Sequence, residues 1–131
     1  MSPRLAEVEA ATGKLPSQMY IGGKHRDSAS GDRLDSVDPG TGSVIGSVPA
    51  GDGADIDAAV ADAKRALRGP WADMAPRDRG RLLWQIGEAI RDNADRFALV
   101  ETLDQGKPLK EARVSILRTA DYFCYYAGIV D

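Results

Sequence analysis

The sequence predicts a mostly α-helical chain with a small antiparallel β-hairpin layer near its N-terminus. Between residues 18 and 49, short runs of β-branched and aromatic residues alternate with glycine-rich turns. After Pro49 the apolar residues recur three or four positions apart, which is the period of amphipathic helices. The sequence has none of the long Val/Ile/Leu runs that form buried parallel strands. The predicted helices therefore either pack on one another or cover a layer that lies elsewhere.

The predicted strands are short and alternate with turns. They cover Met19 to Ile21, Arg33 to Val37 and Val44 to Val48. The glycine-rich stretch from Asp38 to Gly46 has some likeness to a dinucleotide-binding loop, but its third glycine falls one residue late and no helix start follows. Proline and glycine in this arrangement are typical of turns. We therefore predict a hairpin turn here, not a phosphate site.

Four helices are predicted after Pro49, each from one apolar stripe. The stripes are Ile56, Val60, Ala63 and Leu67; Leu82, Leu83, Ile86 and Ile90; Phe97, Val100 and Leu103; and Ile116, Ala120, Phe123 and Ala127. The first helix is expected to end at Gly69-Pro70 and the second to begin at Pro76. The third is expected to run from Asn93, as N-cap, to Gly106, and the last to begin at about Ser115.

Composition limits the classes of function. The chain has 131 residues, 43% hydrophobic and 28% charged, which is ordinary for one modest globular domain. A net charge of −3 gives no reason to expect a nucleic-acid partner. No segment has the length of a membrane span, and residues 1–17 lack a signal-peptide core. Because residues 1–17 are small, polar and weakly patterned, we predict a flexible leader there. A single cysteine fits a reducing compartment, and the predicted location is cytoplasmic.

Six stretches follow one another along the chain in a distinctive order. They are YIGGKHRDSASG, SVDPGTGSVIGSVPAGDGADIDAAVADAKRAL, GPW, RGRLLWQIGEAI, ETLDQGKPLKEA and DYFCYYAGIVD. In this order they resemble the N-terminal portion of the NAD(P)-dependent aldehyde dehydrogenase superfamily, over about residues 18–131. The resemblance implies an α/β fold, of which residues 18–131 form a partial segment: the N-terminal helices and edge strands of the cofactor-binding domain.

The resemblance also implies an activity. Members of this family oxidise an aldehyde to a carboxylic acid and reduce NAD or NADP. They use a cysteine thiolate as nucleophile, a glutamate that activates water and an asparagine that stabilises the oxyanion. The positions that match these groups lie beyond residue 131, so we assign no catalytic and no cofactor-binding residue. We expect the chain alone to be inactive, without tight cofactor binding. The alternatives are a non-catalytic helical binding module and a fragment that docks onto a complete homologous subunit.

A site for a monovalent cation is a further implication of the resemblance. The aspartate of the family's LDxGK motif is Asp104 here, and the backbone carbonyls near the VxP turn belong to Ser36 and Val37. Hard oxygen ligands suit such an ion, although at least one family ligand lies downstream of this chain. The alternative for Asp104 is helix capping or a local hydrogen bond, which we favour for the isolated chain.

Five other residues are candidates for a role. Cys124 has no activating base nearby in the sequence and is interpreted as a small buried hydrophobe. His25 is expected to be exposed or to stack on an aromatic ring, and Lys107 to lie in a connector between helices. The helix ahead of YYAG helps form the substrate entrance in the family. Val114 and Arg118 lie near it by spacing, but the motif does not fix them and no substrate role is assigned.

Overall fold

The structure, a computed structural model, describes residues 6, 9–10, 13 and 16–130. The chain divides into two compact units, residues 1–73 and residues 74–131. The leader predicted over residues 1–17 falls largely outside the described residues. The described strands all belong to the first unit, and three long helices form the second.

Two β-hairpins open the first unit. Its strands are β1 (Met19–Ile21), β2 (Lys24–Arg26), β3 (Arg33–Val37) and β4 (Val44–Pro49). β1 pairs with β2 and β3 pairs with β4, both antiparallel, in two separate two-stranded sheets. The predicted hairpin layer and its three predicted strands are confirmed. β2 was not predicted, because its sequence Lys-His-Arg contains no apolar residue that would indicate a strand.

The glycine-rich stretch is a hairpin turn, as predicted, and Asp38 holds it together. This aspartate is buried, and its Oδ1 accepts a hydrogen bond of 2.8 Å from the Gly40 amide while Oδ2 accepts one from the Thr41 hydroxyl. The Asp38 carbonyl accepts the amide of Gly42, whose φ of +68° suits glycine. The carboxylate and carbonyl of Asp38 therefore accept the hydrogen bonds of the turn.

Helix α1 (Gly53–Ala66) begins at a capping box and is tied to the first hairpin through Asp55. The Asp52 side chain accepts the amides of Ala54 and Asp55, and Asp55 Oδ2 accepts the Asp52 amide at 3.2 Å. Asp55 is 2% exposed, and its carboxylate also accepts the Ala29 amide at 3.1 Å and the Arg26 guanidinium at 3.3 Å. One carboxylate thus joins α1 to β2 and to the loop that follows it.

The apolar stripe predicted for α1 has the correct spacing but faces solvent. Ile56 is 62% exposed and Leu67 is 71% exposed. A short helix, α2 (Pro70–Asp73), follows at the point where the sequence indicated only a helix stop. Since an exposed apolar stripe adds no burial, α1 is anchored mainly by its N-terminal hydrogen bonds.

The second unit consists of three helices. They are α3 (Pro76–Asp92), α4 (Ala94–Gln105) and α5 (Leu109–Ala127). The predicted start at Pro76 is confirmed, as is the end of α4 at Gly106, which has a left-handed φ of +73°. The predicted start of α5 at about Ser115 was wrong by six residues. The Leu-Lys-Glu-Ala-Arg run after Pro108 is mostly polar, but its residues are strong helix formers.

Asn93 separates α3 from α4, but it does not cap α4 as predicted. Its side-chain amide donates a hydrogen bond of 2.8 Å to the Ala89 carbonyl, in the last turn of α3, and makes no capping bond to α4. The predicted boundary was therefore correct and its mechanism was wrong.

Small residues hold the second unit together, where α5 packs on both α3 and α4. Among the described residues, the buried apolar residues there are Ala94, Ala98, Leu103, Ala112 and Ala120. A Cβ atom at Gly80 of α3 would lie 2.7 Å from the Ala127 carbonyl oxygen of α5, so the two helices cross at backbone distance. The large apolar side chains of α3 contribute less to this core, because Leu82 is 38% exposed and Ile86 is 43% exposed.

Candidate functional site

The residues of the predicted cation site belong to both units. Ser36 and Val37 end β3, and the register of the β3–β4 ladder shifts between them. Such an irregularity interrupts the regular ladder and re-aims backbone groups. Asp104 is exposed in the last turn of α4, where the negative end of the helix dipole favours a nearby cation. This position is at the C-terminal end of α4, so Asp104 cannot be its N-cap. The cation site stays a prediction.

Cys124 lies on α5, half-buried against α3. A Cβ atom at Gly87 would come within 2.7 Å of the thiol sulfur, and Glu88 Oε1 lies 4.0 Å from it. The sequence around Cys124 did not reveal that α3 also brings the Arg91 guanidinium near the thiol. Arg91 donates a 2.8 Å hydrogen bond to Asp121, which is the main reason why its pKa is raised. Among the described residues, the acceptor that the Cys124 thiol meets is thus the carboxylate of Glu88.

Two further residues lie where the sequence placed them. His25 is exposed on β2 and packs edge to face against Tyr20, with ring centroids 5.1 Å apart. Lys107 lies in the connector between α4 and α5, and its Nζ is 2.8 Å from Glu101 Oε1. The other carboxylate oxygen of Glu101 is buried without a hydrogen-bond partner. The Lys107–Glu101 ion pair therefore partly offsets the burial of that carboxylate.

A groove of about 420 Å³ follows the N-terminal half of α5. Its lining residues are Lys107, Lys110, Glu111, Val114, Ser115 and Arg118. The five of these residues that lie on α5, from Lys110 to Arg118, recur at helical spacing and share one face of the helix, and Lys107 lies in the connector before it. The structure thus brings together Val114 and Arg118, to which the sequence assigned no role, and adds Lys110 and Glu111. Helical spacing could have indicated this shared face, had the helix been predicted to start at Leu109.

Neither a metal-binding cluster nor a membrane-spanning helix occurs in the part of the chain that the structure describes. Within residues 6, 9–10, 13 and 16–130, no three His, Cys, Asp or Glu side chains lie close enough to hold a metal ion. Over the same residues, no helix combines the length and apolar character that crossing a membrane requires.

Comparison with known proteins identifies the family. The model of the aldehyde dehydrogenase family matches residues 25–131. The chain is 38% identical to an NAD-dependent aldehyde dehydrogenase from Sinorhizobium meliloti, with a TM-score of 0.84 over 97% of this chain and 24% of that one. A betaine aldehyde dehydrogenase from Staphylococcus aureus, solved in complex with NAD+, is 28% identical, with a TM-score of 0.89 over 96% of this chain and 25% of that one.

These matches define a class of oxidoreductase, and the chain belongs to the aldehyde dehydrogenase family. Its fold is that of an aldehyde dehydrogenase segment: mostly helical, with two small antiparallel strand pairs. The chain spans about a quarter of the length of the solved relatives that it matches.

Proposed function

We propose that this sequence forms the N-terminal helices and hairpins of the cofactor-binding domain of an NAD- or NADP-dependent aldehyde dehydrogenase. The complete enzyme would oxidise an aldehyde to a carboxylic acid. The observation that carries the proposal is the family match over residues 25–131, together with TM-scores above 0.8 to solved aldehyde dehydrogenases. The single cysteine is consistent with action in the reducing cytoplasm.

The 131-residue chain alone is proposed to be inactive and to bind the nicotinamide cofactor weakly at most. Thiol catalysis needs an activated cysteine, a general base and an oxyanion donor in reach of one another. The sulfur of Cys124, the single thiol of the sequence, lies 4.0 Å from Glu88 Oε1, and the nearby Arg91 guanidinium donates its hydrogen bond to Asp121. This arrangement supports a packing role for Cys124.

We further propose that the apolar faces of the helices are covered by protein in the functional form. Ile56 and Leu67 on α1, and Trp84 on α3, are each more than half exposed. Fully burying such a side chain is worth about 1.5–3 kcal/mol, so these surfaces favour docking onto the rest of an aldehyde dehydrogenase, or self-association. A second candidate function, a non-catalytic module that docks on a homologous subunit, rests on the same exposed residues.

The test combines the mass of the native product with an activity assay. A product in the source cells several times heavier than 14.0 kDa that contains these peptides, and that reduces NAD or NADP with an aldehyde, would support the proposal. The purified 131-residue chain is expected to produce no reduced cofactor, as measured by absorbance at 340 nm. A stable native species of 14.0 kDa would favour the binding module. Turnover by the 131-residue chain alone would overturn the proposed inactivity.

A further inference from the structure

One face of α1 and its C-cap residue is apolar and open to solvent. It carries Ile56, Val60, Ala63 and Leu67, which together form the α1 stripe. Ile56 and Leu67 are more than half exposed, and Val60 is 45% exposed. The stripe extends over about 16 Å along the helix axis. An apolar row of this kind is typical of a surface that another protein element covers.

Charges of both signs follow one edge of the α1 stripe. Asp57 lies in the first half of α1 and Lys64 follows two turns later, so the two residues share one side of the helix. Both are exposed, and neither forms an ion pair within the described residues. The opposite edge of the stripe is formed by Ala59 and Ala66. The stripe therefore has one charged edge, which is acidic toward the N-terminus of α1 and basic toward its C-terminus.

A second copy of α1 would complement this order of charges if it packed antiparallel on the stripe. Two helices that are related in this way by a two-fold axis present the same edge on the same side of their contact. Asp57 of each copy would then face Lys64 of the other, within about 3 Å along the axis when the two stripes are centred on each other. A parallel pair would instead place the charged edge of one copy against the alanine edge of the other. The charges therefore select the antiparallel direction.

The apolar residues fit the same arrangement. With the two stripes centred, Ile56 of one copy would lie opposite Leu67 of the other, and Val60 would lie opposite Ala63. A small residue at the middle of the contact would let the helices approach closely. A covering segment of unrelated sequence has no reason to carry the same charges in reverse order, whereas a second copy does so by symmetry.

We propose that the α1 stripe is a docking surface for a second copy of the chain, whose own α1 packs on it antiparallel. The inference rests on the proposed covering of the apolar helix faces by protein, and it adds which partner covers α1 and in which direction. A contact confined to one helix of 14 residues is small compared with the roughly 1,200–2,000 Å² that stable complexes bury. The dimer should therefore dissociate on dilution.

The experiment uses the gene product as its source makes it, in two variants that are mixed. Asp57→Lys has amines and no carboxylate at positions 57 and 64, and Lys64→Asp has carboxylates and no amine there. A carbodiimide joins a carboxylate directly to an amine in contact with it, so it can link these positions only between two copies. The mixture restores the attraction that the antiparallel pair predicts. We expect peptide mass spectrometry to find the link between positions 57 and 64, with a yield that rises with protein concentration.

A matched pair of leucine changes shows whether the stripe itself makes the contact. Leu67→Asp, introduced into both variants, should lower the yield of the 57–64 link about tenfold, because it puts a charge into the apolar contact. Leu34→Asp is the control, since Leu34 is also more than half exposed but lies on β3. It should change the yield by less than about twofold. Circular dichroism checks that each variant keeps its helices.

Three results would overturn the proposal. They are an absence of links between copies, a 57–57 link that exceeds the 57–64 link, and an equal loss of yield in the two leucine variants. A separate assay of aldehyde-dependent reduction of NAD or NADP by the unmodified product keeps the two proposals apart. Activity without links between copies would mean that the rest of a longer dehydrogenase chain covers the α1 stripe, which removes this inference and leaves the proposed enzyme. Links without activity would do the reverse.

Discussion

Asp55 is the residue whose removal should most weaken the first unit. Its buried carboxylate accepts the amides of Ala29 and Asp52 and one guanidinium nitrogen of Arg26. Asp55→Ala leaves both amides without their partner, and each such hydrogen bond to a charged group is worth about 1.5 kcal/mol. The Arg26 side chain is 40% exposed, so its pair adds at most about 1 kcal/mol. The expected loss in the free energy of unfolding is therefore about 3–4 kcal/mol.

Hydrogen exchange followed by mass spectrometry is the assay, because it reports on the first unit separately. A loss of about 3 kcal/mol corresponds to a roughly hundredfold rise in the opening equilibrium. Peptides that contain Ala29 and Asp52 should therefore exchange about a hundred times faster in Asp55→Ala. Asp55→Asn retains one acceptor oxygen and should show an intermediate effect. Asp57→Ala, which removes an exposed carboxylate from the same helix, should exchange at nearly the rate of the unmodified chain.

If Asp55→Ala and Asp57→Ala exchanged at the same rate in these peptides, the buried hydrogen bonds of Asp55 would not be what holds α1 to the first hairpin. Faster exchange confined to the α1 peptides would limit the role of Asp55 to capping.

Three further predictions concern the second unit and the cation site. Gly80→Ala should lower the urea midpoint of unfolding, because the new Cβ atom would lie 2.7 Å from the Ala127 carbonyl oxygen. Such overpacking costs about 1–3 kcal/mol. The gain in helix propensity from glycine to alanine offsets about 1 kcal/mol of that cost. Gly53→Ala is the matched control, because no atom lies within 4 Å of its Cβ position. An equal midpoint shift in the two variants would exclude the close crossing of α3 and α5 as the cause. Lys107→Met should lower the free energy of unfolding by about 1–3 kcal/mol in the same urea titration, because it leaves the Glu101 carboxylate unpaired. If the second change Glu101→Gln restores the midpoint, the loss came from the broken ion pair and not from a lost packing contact. In the complete dehydrogenase, Asp104→Asn should weaken the dependence of activity or thermal stability on potassium or sodium ions; an unchanged dependence would remove Asp104 from the cation site.

The sequence predicted the structure correctly at positions where a residue type has one common structural role. Gly42 and Gly106 both adopt positive φ; Gly42 lies in the predicted hairpin turn, and Gly106 follows the predicted end of α4. Pro76 opens α3 because proline suits a first helical turn. β-branched residues located β4 for the same kind of reason.

The sequence was less informative wherever a polar residue has several partners to choose from. Asn93 could have capped the following helix, yet it bonds to the preceding one. Asp55 lies in the first turn of α1, but its bonds to Ala29 and Arg26 depend on the loop and strand that come 26 and 29 residues earlier. The α5 groove was hidden for a related reason, because Lys110 and Glu111 lie in a polar run that hid the start of the helix.

The alanine-rich contacts of the second unit have a consequence for how this segment acquires its stability. Because α3, α4 and α5 approach one another through small residues, their larger apolar side chains remain available on outer faces. Most of the hydrophobic free energy of such a layer is released only when another surface covers it. The apparent melting temperature should then depend on the concentration of whatever covers the layer, so order in this segment is linked to assembly by mass action.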